Sequence, residues 1–187
     1  MEYRRATEKG GSYFFTVNLA DRSTSLLTEN VGLLRSTIRT VRTAHPFELT
    51  AIVVMPEHLH CIWQLPVGDA DYSVRWALIK AGFSRGLPRG ESIAKSRIGR
   101  RERGIWQRRY WEHLIRDEND LRRHIDYIHF NPVKHGYVQR AADWQWSSLH
   151  QFVRDGRLPP NWGLALRFPR ESRTYEIACF PCLFRSR

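Results

Sequence analysis

Residues 47–65 read FELTAIVVMPEHLHCIWQL. β-Branched and aromatic residues fill both ends of the run, and Pro56-Glu57 interrupts it. It predicts two strands, 47–55 and 58–65, joined so tightly that they must be antiparallel neighbours. Side chains alternate faces in a strand, so His58 and His60 share one face while Leu59 and Cys61 take the other. The hairpin therefore sits at the border between an apolar core and a surface that carries two imidazoles.

Working outward, SYFFTVNL at 12–19 is aromatic and β-branched and predicts a strand. Leu27, Val31, Leu34, Ile38 and Val41 recur at helical spacing from 26 to 45, where Pro46 stops the helix. A second helix is expected over 71–85, with Val74, Ala77, Leu78 and Ala81 on one face. WQRRYWEHLI at 106–115 predicts a fourth strand. A helix over 118–130 follows, with Leu121, Ile125 and Ile128 buried and Asp117 or Asn119 as its cap. The order β-α-β-β-α-β-α begins as a split β-α-β pattern. The fold class expected is α+β: a ferredoxin-like βαββαβ unit with an antiparallel sheet, followed by the 118–130 helix and a C-terminal extension. The 187 residues suit one domain, with a core over about 10–150 and an extension over 151–187. Trp144, Trp146 and Trp162 suggest that the later segments pack on that domain.

Charge narrows the function. Thirty Lys and Arg against nineteen Asp and Glu leave a net charge of +11, which points to a polyanionic partner. Arg predominates over Lys, and its planar fork grips phosphate and stacks on bases. Between Arg89 and Arg109 lie eight basic and two acidic residues. This Gly- and Arg-containing stretch, 86–104, is expected to be a long mobile loop. No apolar run is long enough to span a membrane, and the N-terminus lacks a signal-peptide pattern. The expected location is the cytoplasm, in association with the nucleoid. Three cysteines do not make a disulfide framework; Cys61 reads as a core residue and Cys179-x-x-Cys182 as an isolated pair.

Two motifs carry chemistry. His58 and His60, on one strand face, can share a metal ion, although the spacing equally suits two ordinary histidines. Two ligands leave a coordination shell incomplete, which suits catalysis better than a closed structural site. In HIDYIHFNPVKHG (124–136), Tyr127 and Asn131 are one helical turn apart and share a face with His124 and Asp120. Tyr127 thus stands outside the stripe of Leu121, Ile125 and Ile128. Asn131-Pro132 is expected to end or kink the helix. At that point an Asn carbonyl oxygen can complete a metal site, or simply cap the helix.

Taken together, VVMPEHLHCIWQLP, HIDYIHFNPVKHGYV and the later DWQWSSLH resemble the REP-associated tyrosine transposases, relatives of the single-tyrosine HUH (His–hydrophobic–His) transposases of insertion sequences. The resemblance spans roughly residues 10–165. It implies that His58 and His60 bind a divalent metal, Mg²⁺ or Mn²⁺, with Asn131 completing the shell. It implies that Tyr127 is the nucleophile, forming a 5′-phosphotyrosine while metal neutralises the phosphate. It also implies a target of single-stranded DNA hairpins formed by repetitive palindromes, with a flanking tetranucleotide, bound by a monomer or homodimer. Relatives often carry Asn or Asp where this chain has Glu57, so Glu57 receives no catalytic role. DNA contacts are expected from Arg100, Arg101, Arg103, Trp106, Arg108 and Arg109, the aromatic residue by stacking on bases. The competing readings are a non-catalytic hairpin-binding regulator and a metal-dependent nuclease that uses water.

Overall fold

The 47–65 run folds as the hairpin its alternation requires: β2 (Glu48–Val54) and β3 (His58–Gln64) pair antiparallel, and Met55 N donates to the His58 carbonyl at 2.8 Å to close the turn. The structure is a computed structural model describing residues 8–90 and 103–163. With β1 (Ser12–Asn18) and β4 (Trp111–Leu114), the hairpin builds a four-stranded sheet in the order β2-β3-β1-β4, with every neighbouring pair antiparallel. The helices are α1 (Leu26–Glu29), α2 (Val31–Ala44), α3 (Tyr72–Gly86), α4 (Glu118–Lys134) and α5 (Leu149–Arg154), with a 3₁₀ turn at Ala141–Asp143. This is the expected α+β arrangement. Among the described residues no helix is long and apolar enough to cross a membrane.

Register assigns the two sheet faces. Phe14 lies opposite Ile62, Thr16 opposite His60 and Asn18 opposite His58. One face therefore carries Tyr13, Phe15, Val17, Leu59, Cys61 and Trp63, which pack with Leu34 and Ile38 of α2 and Trp76, Ile79 and Phe83 of α3. The other carries Phe14, Ala51, Val53 and Ile62, which pack with Ile128 of α4 and Phe152 of α5. α2 and α3 approach closely: a Cβ on Gly86 would lie 2.5 Å from Leu33 Cδ1. Glycine there exchanges helix propensity for proximity.

On α3 the expected apolar face turns outward, with Val74 and Leu78 exposed and Trp76, Ile79 and Phe83 buried instead, and the elements themselves depart from the sequence reading in three places. The 26–45 helix is broken at Asn30, whose backbone leaves helical geometry (φ −115°, ψ 31°) while its side-chain amide donates to the Leu26 carbonyl at 2.9 Å. An Asn offering the backbone such a local partner is a helix interrupter. The 106–115 strand is ladder-paired only over Trp111–Leu114. Continuing the Thr16–Trp111 register would set Arg108 opposite Leu19, but the bridge to Leu19 is made by Trp106, so two residues loop out. Strict alternation would have pushed Arg108 into the apolar face between Trp106 and Tyr110, at a desolvation cost that looping avoids. Finally, Asn131-Pro132 does not end α4, which runs on to Lys134 with Pro132 inside it. Proline in the last turn forfeits one backbone hydrogen bond. A C-terminal cap follows: Gly136 (φ +74°) donates to the Val133 carbonyl and Tyr137 to that of Pro132, both at 3.0 Å.

The chain after α4 returns to cover the open edge of β2. Val54 N donates to the Trp146 carbonyl (2.9 Å), Ser148 N donates to the Ile52 carbonyl (2.8 Å), and the Trp144 indole donates to the Val54 carbonyl (3.0 Å). An edge strand's unpaired groups are satisfied this way, and the tryptophans pack on the domain as expected.

Candidate metal and tyrosine site

His58 and His60 project from β3 onto the α4 side of the sheet, their ring centroids 4.8 Å apart and nearly perpendicular (78°). Both are almost fully buried. Each ring is held by one nitrogen: His58 Nδ1 lies 2.9 Å from Glu57 Oε1, and His60 Nδ1 lies 2.9 Å from Thr16 Oγ1 on the neighbouring strand. Orienting an imidazole through one nitrogen frees the other, Nε2, for a ligand. Burial pushes His60 well below the ordinary histidine range, and the nearby His58, His135, Lys134 and Arg22 push the same way, so the ring is neutral. His58 is lowered by burial too, partly offset by the Glu57 carboxylate. Burial alone would raise Glu57, but His58 and Arg22 outweigh it and hold the carboxyl below its usual value.

α4 crosses over these histidines. Its N-terminus is fixed by Asp117, whose carboxylate accepts from Asp120 N at 2.8 Å. The helix turns its polar stripe inward: Asp120, His124 and Asn131 are buried, whereas Leu121 and Ile125, expected to be the buried face, are only half-buried. Tyr127 lies edge-on to His60, with ring centroids 5.2 Å apart, and edge-on to Phe14 at 5.9 Å. Lys134, two turns on, sets its ammonium 4.9 Å from the Tyr127 ring centroid. The His135 ring, just past the helix end, packs against that of His58 at 5.3 Å.

Asn131 stands out energetically. It is fully buried, and neither its Oδ1 nor its Nδ2 has a well-formed hydrogen bond within the protein, although it lies close enough to His58 to favour the protonated ring slightly. A buried polar group left so costs about 1–3 kcal/mol. Two neutral imidazoles with oriented rings and one unmatched amide make a donor set of two nitrogens and an oxygen. That set fits a divalent cation with open positions for other ligands.

The residues expected to touch DNA fare differently. Arg100 and Arg101 lie outside the described residues. Arg103 ties down the end of α3: its guanidinium donates to the carbonyls of Ser84, Leu87 (2.8 Å) and Pro88 (2.6 Å). Trp106, expected to stack on bases, is buried. It is 6% exposed and packs edge-on to Phe83 at 5.4 Å, because its bridge to Leu19 draws the indole into the α3 side of the core. Arg108 and Arg109 are exposed where the chain loops out from the β1–β4 ladder. Three residues beside the histidines were not singled out from sequence, Thr16, Lys134 and His135, and Glu57, given no catalytic role there, holds the His58 ring. Only cross-strand register brings Thr16 to His60, whereas the helical period does place Lys134 two turns after Tyr127.

No family model matches the chain. A REP-associated tyrosine transposase of Escherichia coli K12 is 47% identical over 163 residues, covering 86% of this chain and 90% of that protein. A relative from Haemophilus influenzae assigned to the same family is 48% identical over 162 residues, covering 86% and 92%. A solved structure of a REP-associated tyrosine transposase bound to a REP hairpin superposes with a TM-score of 0.75 at 46% identity, covering 87% of this chain and 90% of that one.

Proposed function

The chain belongs to the REP-associated tyrosine transposases, and on that premise we propose that it nicks and rejoins single-stranded DNA beside hairpin-forming palindromic repeats, with Tyr127 as nucleophile and His58, His60 and Asn131 as ligands of a Mg²⁺ or Mn²⁺ ion. The observation that carries this reading is the fully buried, unmatched amide of Asn131 next to two histidines whose Nδ1 atoms are already held. A protein core does not ordinarily leave such a group unsatisfied.

A phosphodiester repels nucleophiles through its own charge. A divalent cation held by His58, His60 and Asn131 would supply neutralisation of that charge. The chain's part is to hold His58 and His60 in orientation through Glu57 and Thr16, and to hold Tyr127 beside them on a helix fixed at both ends. The phenol, ordinarily near pKa 10, must give up its proton to attack, and the Lys134 ammonium over its ring favours the resulting negative charge. The Tyr127 oxygen bonds to phosphorus as the P–O3′ bond breaks. The departing strand takes a proton on its 3′-oxygen, and the 5′ end stays on the protein as a phosphotyrosine. A 3′-hydroxyl attacking that linkage reverses the step and rejoins strands.

Hairpin DNA as the substrate rests on the hairpin-bound relative. Phosphate contacts are assigned to the exposed Arg108 and Arg109 and to Arg100 and Arg101, with affinity that falls as salt rises. The deciding experiment incubates wild type and Tyr127→Phe with a labelled hairpin oligonucleotide, taken from repeats flanking the gene, and Mg²⁺ or Mn²⁺, then runs a denaturing protein gel. A covalent protein–DNA band absent from the variant is the expected result. Cleavage that persists in Tyr127→Phe without such a band would replace this reading with a nuclease that uses water. Binding without any cleavage would leave a regulator.

A further inference from the structure

His113, Asp120 and His124 form a second set of metal-ligating side chains that the proposed reaction does not use. Sequence explains how they meet. Asp120 and His124 are one turn apart on α4 and share a face, and His113 lies opposite Phe14 in the β1–β4 register, which turns it to the same side of the sheet. One ligand atom from each residue falls within 4.8 Å of the other two. His113 Nε2 lies 2.8 Å from Asp120 Oδ2, and His124 Nδ1 lies 3.2 Å from Asp120 Oδ1. The two imidazoles stack at 4.7 Å with 18° between their planes. Bonds of about 2.0–2.1 Å in a tetrahedron put ligand atoms roughly 3.3 Å apart, and an imidazole lone pair lies in its ring plane, so sharing one ion requires the stacked His113 and His124 rings to turn out of parallel.

A separate observation points to a ligand. His124 is 1% exposed, and its Nδ1 lies 2.8 Å from the Asp120 backbone carbonyl, an acceptor that fixes the ring's proton there. Its Nε2 is then a buried lone pair, and it has no partner. A ring oriented by a carbonyl through one nitrogen and left bare at the other is the usual state of a metal-ligating histidine. His113 keeps a fifth of its side chain exposed, which admits water to a fourth position. Two imidazoles and a carboxylate suit zinc and its neighbours rather than magnesium.

We propose that His113, Asp120 and His124 bind a borderline divalent cation of the Zn²⁺ class, joining β4 to the first two turns of the helix that carries Tyr127. The inference does not depend on the ligand roles of His58, His60 and Asn131. Chelator-stripped protein is titrated with Zn²⁺ by calorimetry and by thermal melting. The double variant His58→Ala/His60→Ala silences the other histidine pair. It should still take up one equivalent and melt at a higher temperature with zinc than without. His113→Gln, at the least buried of the three positions, should weaken that binding by more than the roughly 10–100-fold seen when outer-shell partners are lost. Should the double variant not fold, stoichiometry decides: His113→Gln must bind one equivalent fewer than wild type. A folded double variant that binds no zinc overturns the proposal, as does binding unchanged by His113→Gln. A thiolate charge-transfer band with Co²⁺ would place the ion on Cys179 and Cys182 and overturn it too.

Discussion

On one side of the sheet Tyr13, Phe15, Leu59, Cys61 and Trp63 meet α2 and α3 in a layer whose contacts are almost wholly apolar; one residue along the same strands, Phe14, Thr16, His58 and His60 meet α4 across a layer of imidazoles, a carboxylate, a phenol and an amide. Both layers are buried. The first gains stability simply by being so, as does the apolar part of the second, Phe14, Val53, Ile62 and Ile128. The second contains groups whose burial costs free energy unless each finds a partner, and Asn131 and one nitrogen of His124 do not. Alternation along β1 and β3 binds the two layers together, so the apolar face sustains a polar face that would not fold alone.

The largest effects should separate the faces. His60→Ala is predicted to lower hairpin cleavage on the order of 10³-fold, as loss of a preorganised electrostatic element does, with hairpin binding retained. Trp76, stacked on Trp63 at 4.3 Å and 1% exposed, belongs to the other face. Trp76→Ala should cost about 3–5 kcal/mol of stability and leave cleavage per folded molecule near wild type. Denaturant unfolding and single-turnover cleavage on both variants make the comparison. If Trp76→Ala loses cleavage as heavily as His60→Ala while still folded, the faces are not functionally separate.

A smaller effect tests what the polar layer costs. His129, on α4 away from Tyr127, has Nε2 3.0 Å from Ser148 Oγ, and that oxygen also accepts from Ile52 N on β2. Burial, helped by Arg157 and His150, lowers its pKa to about 3. The folded value lies below the unfolded value of about 6.5, so the unfolded chain binds the extra proton between them. The associated stability is present above pH 6.5 and drains away as pH falls toward 3, by about 3 kcal/mol between pH 7 and pH 4. Urea midpoints followed from pH 7 to 4 should fall more steeply for wild type than for His129→Gln. Parallel curves would mean that His129 takes up its proton without disturbing the fold.

How much of this was legible beforehand follows the same division. The apolar face could be read directly, because alternation in SYFFTVNL and in HLHCIWQ is a local property of each strand. The pairing of His58 with His60, and of Tyr127 with Asn131, was also local. What was missed depends on tertiary placement. Leu121 and Ile125 carry the stronger hydrophobic signal, yet they are only half-buried against the apolar part of that face, whereas α4 turns Asp120 and His124 inward toward His113, and Asn131 toward His58. Trp106 and Arg103 looked like nucleic-acid contacts in a basic run; one is core and the other clamps the end of α3. Composition reports that a run is basic, not which of its side chains the fold has already engaged.

Lys134 gives the smallest predicted effect and the finest distinction, since it lies at the solvent margin of the polar face. Its ammonium sits 4.9 Å from the Tyr127 ring centroid, and an exposed contact of this kind contributes about 0.5–1 kcal/mol. If that interaction favours the phenolate over the phenol, Lys134→Met should slow cleavage at pH 7 by about two- to fivefold. The deficit should shrink as pH approaches the ordinary tyrosine value near 10, where both proteins lose the proton without help. Single-turnover rates from pH 7 to 9.5 distinguish this from a lost DNA contact. A phosphate-binding lysine would change affinity and its dependence on salt, and would leave a rate deficit, at saturating DNA, that is absent or independent of pH. A deficit that narrows with pH puts Lys134 with the tyrosine; a constant one assigns it to the strand.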